Sequence, residues 1–200
     1  LRCRASIGAV PDTERTIFAL QPTLDAQEIR LRAGQSRTIE LGHGQQVVDV
    51  DAVRIGQDGS LTIKGFADTI AVFRVAGVFR VGTRSNIVLD GIKPENVLWM
   101  ISGAGRFVRI GSNNRNPFPG TLLAAKRPKV SIGAFSSIEG ALIGKRIRMG
   151  RESSVMHRPF TALLQGAIVD TPNLAMRQAN LSYSNANRDT GRMRIRAIVD

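Results

Sequence analysis

Val53-Arg-Ile-Gly56, Phe79-Arg-Val-Gly82 and Val108-Arg-Ile-Gly111 repeat one pattern: an apolar residue, an arginine, an apolar residue and a glycine. Looser copies stand at Leu31-Arg-Ala-Gly34, Val130-Ser-Ile-Gly133 and Ile147-Arg-Met-Gly150. The six glycines are separated by 22, 26, 29, 22 and 17 residues. Alternation of apolar and polar residues has the period of a strand, with apolar positions inward and the middle residue outward. A closing glycine supplies a corner, because it tolerates backbone angles that other residues avoid.

Between these units lie further short runs, Ser60–Lys64, Ile87–Asp90, Thr121–Ala124 and Ala141–Gly144. Two or three short strands per 17 to 29 residues, recurring six times, is the arithmetic of a β-solenoid, a parallel β-helix of about six coils. A β-sandwich also places turns at such intervals, but its strands need not repeat one short motif. Composition agrees with a narrow interior: 42% of the 200 residues are hydrophobic but only 5% aromatic, and 20 are glycine. The expected fold class is therefore all-β. An irregular lead-in occupies residues 1–28, the solenoid 29–160, and a C-terminal cap 161–200. In that cap Thr171-Pro172 starts a short helix to about Asn180, and Arg192–Val199 alternates like a strand. Asp90–Asn96 and Ser112–Gly120 carry turn residues and are expected to bulge from the coil.

Charge is the second strong feature. There are 28 Lys and Arg against 16 Asp and Glu, a net charge of +12. If the repeats stack in register, Arg32, Arg54, Arg80, Arg109 and Arg148 form a ladder on one outward face, interrupted by Ser131. Like charges stacked on neighbouring strands repel by a few tenths of a kcal/mol to about 1 kcal/mol each. Guanidinium groups fork onto carboxylate or phosphate, so an acidic polymer would reverse that repulsion. Two other readings stay open: a solvated basic face with its arginine stems laid along apolar neighbours, and a contact with acidic residues of another subunit. Lys126, Arg127, Lys129, Lys145, Arg146 and Arg151 add to the basic surroundings.

Chemistry of other kinds is missing. Asp49 and Asp51 are the one close carboxylate pair and read as a solvated pair beside Arg54, too few for calcium. His43 lies between two glycines in a turn, and two histidines with one cysteine make no zinc pattern. No dinucleotide loop, phosphate loop or nucleophile elbow occurs. No catalytic residue, metal or cofactor is expected. Cys3 has no partner for a disulfide within the chain, and the start at Leu1 suggests a processed form. No apolar run approaches the roughly 18 residues of a membrane span. Nucleic acid is disfavoured because no aromatic cluster accompanies the arginines.

Asn96-Val-Leu-Trp99, Phe118-Pro-Gly-Thr-Leu-Leu-Ala124 and Ile138-Glu-Gly-Ala-Leu-Ile-Gly144 stand in an order that resembles the choice-of-anchor A family, adhesive β-solenoid domains of bacterial surface and secreted proteins. It is more distantly similar to the bacterial ice-binding-like solenoids. The resemblance implies a solenoid with an extracellular, non-catalytic role at a cell surface or matrix. It supplies no ligand and no catalytic residues. Partners expected on this basis are other copies of the chain, in an oligomer or polymer, other surface or matrix proteins, or an anionic polysaccharide. Ice binding is disfavoured, since Thr38, Thr62, Thr69, Thr83 and Thr121 do not recur at the phase of the repeat.

Overall fold

In the computed structural model, which describes residues 10–26, 28–103, 107–164 and 193–196, the chain is a parallel β-solenoid with three faces. A helix, α1 (Val10–Ala19), comes first. The first coil consists of β1 (Leu24–Asp25), β2 (Glu28–Leu31) and β3 (Ser36–Glu40). The second is β4 (Gln45–Val50), β5 (Ala52–Ile55) and β6 (Ser60–Lys64), and the third β7 (Ile70–Val75), β8 (Phe79–Val81) and β9 (Asn86–Asp90). A 3₁₀ turn at Pro94–Asn96 leads into β10 (Val97–Ile101), β11 (Val108–Ile110) and β12 (Phe118–Pro119). Then follow β13 (Thr121–Ala124), β14 (Val130–Ile132) and β15 (Ser137–Gly140), and last β16 (Leu142–Gly144), β17 (Arg146–Met149) and β18 (Ser154–His157). From β1 to β16 the chain completes five turns, and β17 and β18 add two sides of another, slightly short of six closed coils.

The first strand of every coil joins sheet A and the second joins sheet B, while the third strands form two shorter sheets on the remaining side. All pairings among β1–β18 are parallel. A final strand, β19 (Met193–Arg196), pairs antiparallel with β17 and covers that edge of sheet B. The alternating tail thus finds its partner within the chain. The predicted helix at 171–180 lies outside the described residues.

Inside, side chains of adjacent coils stack in columns, such as Val53, Phe79, Val108 and Val130. The ring of Trp99 lies 4.2 Å from that of Phe73 at 14°, with Phe79 and Phe118 against its edges, and its indole N–H donates to the Pro119 carbonyl at 3.0 Å. Both sides of sheet A are buried along its central strands β7, β10 and β13. Its outward residues Val47, Val72, Leu98, Met100 and Leu123 pack under Ile17 and Leu20 of the α1 segment and under Phe160. An α-helix therefore occupies part of the stretch expected to be irregular, and it lies along a face instead of closing an end.

Arg74 fastens that helix. Its guanidinium donates to both carboxylate oxygens of Asp49, at 2.5 and 2.6 Å, and to the carbonyls of Ile17, Phe18 and Leu20 at the end of α1. A cation at a helix C-terminus meets the negative end of the dipole. Asp49 is thus a structural anchor for Arg74 and not half of a solvated pair with Asp51, and Arg54 pairs with Glu28 instead.

Corner glycines have a different reason from the one expected. A Cβ on Gly111 would sit 2.2 Å from the carbonyl oxygen of Gly82, and one on Gly82 would sit 2.7 Å from the carbonyl carbon of Gly56. Coil backbones approach too closely here for any side chain. Positive φ falls two residues later, at Asp58, Arg84, Asn113, Phe135 and Glu152. Beside that column Ser85, Ser136 and Ser153 donate to the carbonyls of Gly56, Gly111 and Gly133.

Candidate functional site: the outer face of sheet B

Strands β2, β5, β8, β11, β14 and β17 of sheet B each have three or four residues, with apolar side chains inward and the residue between them outward. Register aligns Arg30 with Arg54, Arg54 with Arg80, Arg80 with Arg109, Arg109 with Ser131, and Ser131 with Arg148. The ladder therefore exists, but its first member is Arg30. Arg32 lies past the end of β2, at the corner against Gly56. The first repeat was misaligned because Gly34 occupies the positive-φ position, at +71°, and not the close-approach position of the other corner glycines. Sliding by two residues keeps a side chain on the same face, so the error preserved the parity of the pattern.

At the usual strand spacing of about 4.8 Å the column runs roughly 24 Å across the face. A parallel outward column carries Phe107, Lys129 and Arg146, next to Val78 and Ala52. Outward carboxylates on this sheet are limited to Glu28, at its N-terminal edge, where it accepts from Arg54 at 3.1 Å. The guanidinium groups of Arg80, Arg109 and Arg148 make no hydrogen bond or ion pair with the described residues. Where Ser131 interrupts the column, a depression of about 290 Å³ opens between β11 and β14.

Several other predicted residues lie elsewhere. Arg127 is wholly buried at the corner between sheets A and B and donates to the Gly77 carbonyl, two coils away. Burial lowers its pKa, and its Nε and Nη1 have no hydrogen-bond partner among the described residues. Lys126 pairs with the buried Glu14 of α1 at 3.3 Å, and Arg151 lies over the exposed Phe135 ring. His43 stacks on Phe66 at 3.6 Å and shares a hydrogen bond with Asp68, which holds the Asp68 carboxyl below its ordinary range. Thr38 and Thr62 do align on the third side, but Val88 follows them, and Thr69 and Thr121 are buried. Among the described residues no group of three His, Cys, Asp or Glu could hold a metal, and no helix is long and apolar enough to cross a membrane.

A three-sided parallel solenoid presenting a broad charged sheet is the build of a structural or adhesive module. The family described as "Putative Ice-binding-like adhesive domain" matches residues 18–157, and the chain belongs to it. This supports the broader of the two resemblances, and an adhesive family suggests a surface or extracellular location; the narrower choice-of-anchor A assignment goes beyond the match. No curated protein and no solved structure matches the chain.

Proposed function

We propose that the chain is a non-enzymatic adhesive module of a bacterial surface or matrix that holds acidic polysaccharide on the outer face of sheet B. One observation carries the reading: five of the six stacked positions in a single outward column are arginine. Three of them, Arg80, Arg109 and Arg148, find no acidic partner among the described residues. Among the described residues Glu28, paired with Arg54, is the one carboxylate set against the mutual repulsion of such a column, whereas a chain of carboxylates laid across the strands pairs with several guanidinium groups together. Contact of this kind is broad and shallow, and it suits adhesion better than turnover.

Self-association is the second reading, favoured by the exposed edge strand β18, whose Val155 and Met156 are 40% and 55% exposed. An uncovered strand edge offers unpaired backbone groups to another copy. Replacing Arg54, Arg80 and Arg109 together by Ser separates the two. Loss of retention on an acidic-polysaccharide surface with unchanged light scattering is the expected result. Unchanged retention would remove the column from the account.

A further inference from the structure

The column of arginines is broken once, at Ser131, and the break is where the face gains shape. Arg109 and Arg148 flank Ser131 on the neighbouring strands, with backbones about 9.6 Å apart at two strand spacings. A serine between two arginines leaves a hollow that a sixth guanidinium would fill. The depression there holds about 290 Å³, and its walls differ in chemistry. Arg109 and Lys129 supply charge, Ser112 and Ser131 supply hydroxyls, and Phe107 supplies a ring that is 54% exposed. Lys129 Nζ lies 5.7 Å from the centroid of that ring, so charge and apolar surface stand side by side.

We propose that this hollow is a subsite for one carboxylated sugar unit of an acidic glycan, an inference that rests on reading the sheet B face as an acidic-glycan surface. The carboxylate sits between the two cations that line the hollow, Arg109, whose planar fork matches its two oxygens, and Lys129. The sugar's hydroxyls meet Ser131 and Ser112, which donate and accept. The C–H side of the pyranose ring covers Phe107, an exposed aromatic on an otherwise charged patch. A free inorganic anion would use the cations and the hydroxyls and leave Phe107 idle. A nucleic-acid strand would need a ring for each base, but the positions beside Phe107 in its column are Val78 and Lys129.

The test is calorimetric titration of the whole chain with trigalacturonate, its methyl-esterified neutral form, and a deoxythymidine trimer. Ser131→Arg is the decisive variant, because it raises the positive charge yet fills the hollow. Its fold is checked by thermal melting, and arginine already occupies this column on the neighbouring strands. Trigalacturonate is expected to weaken by about tenfold on Ser131→Arg, the worth of one charge-assisted hydrogen bond. It should weaken several-fold on Phe107→Ala, and the neutral ester should not bind. Equal or tighter binding to Ser131→Arg, or tighter binding of the thymidine trimer than of the uronate, overturns the subsite. Arg54→Ser with Arg80→Ser lies outside the hollow and reports on the face alone. That variant should lose retention on long acidic polymer while keeping trigalacturonate affinity. If it retains the polymer, the reading of the face fails; if only Ser131→Arg behaves contrary to expectation, the subsite alone fails.

Discussion

Replacing Arg74 by Met puts the packing of α1 to the test. The Arg74 side chain is 9% exposed and makes five hydrogen bonds, two to Asp49 and three to the carbonyls that end the helix. Breaking a buried charge pair by removing one partner costs about 3–5 kcal/mol. Asp49 is 39% exposed and regains water in the variant, which pulls the expectation to the low end, about 3 kcal/mol. Met fills much of the aliphatic volume, so little of the loss is cavity. The loss falls on one element, since α1 covers Val47, Val72, Leu98 and Met100 and, among the described residues, has no comparable polar anchor besides the pair between Glu14 and Lys126. Urea unfolding followed by Trp99, the single tryptophan, gives the global stability, and limited proteolysis reports release of α1. Asp49→Asn should cost less, because the guanidinium keeps its three carbonyl acceptors. A loss below about 1 kcal/mol in Arg74→Met, with α1 still resistant to protease, would show that apolar packing alone holds the helix.

Gly111→Ala and Gly34→Ala separate the two reasons for glycine. The first drives a Cβ into the Gly82 backbone at 2.2 Å and should cost about 3 kcal/mol or more, while the second meets open space at φ +71° and should cost about 1 kcal/mol in chemical denaturation; the reverse order would refute the close-approach argument. Asp58 is held below the ordinary carboxylate range first by hydrogen bonds from Arg84 and then by one from Gln57. A lowered folded-state pKa gives stability that is present above the unfolded value of about 3.9 and is lost as pH falls through the folded one. Thermal melting from about pH 6 to about pH 3 should therefore fall more steeply for the native chain than for Asp58→Asn, and parallel curves would contradict the pairing. Arg127→Met removes a buried cation with two nitrogens unpaired among the described residues and should change stability by no more than about 1 kcal/mol, whereas a loss above about 3 kcal/mol would mean the guanidinium is better satisfied than those neighbours indicate.

Legibility in the sequence followed solvent exposure. Sheet B was readable because one side meets water: Val108-Arg-Ile110 alternates, and so do its counterparts on β5, β8 and β17. Sheet A was readable only in part: Thr121–Ala124 and Ala141–Gly144 mark β13 and β16, but Val97-Leu-Trp-Met-Ile101 of β10, buried on both sides, shows no alternation at all. Its covering helix was hidden too, since the described part of α1 buries Glu14 and Ile17 and gains its place from Arg74, 57 positions away from Ile17. The column of arginines was visible as a spacing, but its first member was assigned by aligning glycines that play different parts. Gly34 turns the backbone, whereas Gly56, Gly82 and Gly111 make room for the next coil. Phe107 and the hollow beside Ser131 were not legible, because their neighbours come from a different coil and only the register joins them.

The most direct measurement is arginine footprinting: modification by phenylglyoxal, read by mass spectrometry, with and without a long acidic polysaccharide. Protection concentrated on Arg54, Arg80, Arg109 and Arg148, with Arg37, Arg84 and Arg115 left reactive, is the result predicted for a contact on the outer face of sheet B. Protection spread evenly over all exposed arginines, or absent from the column, would contradict it.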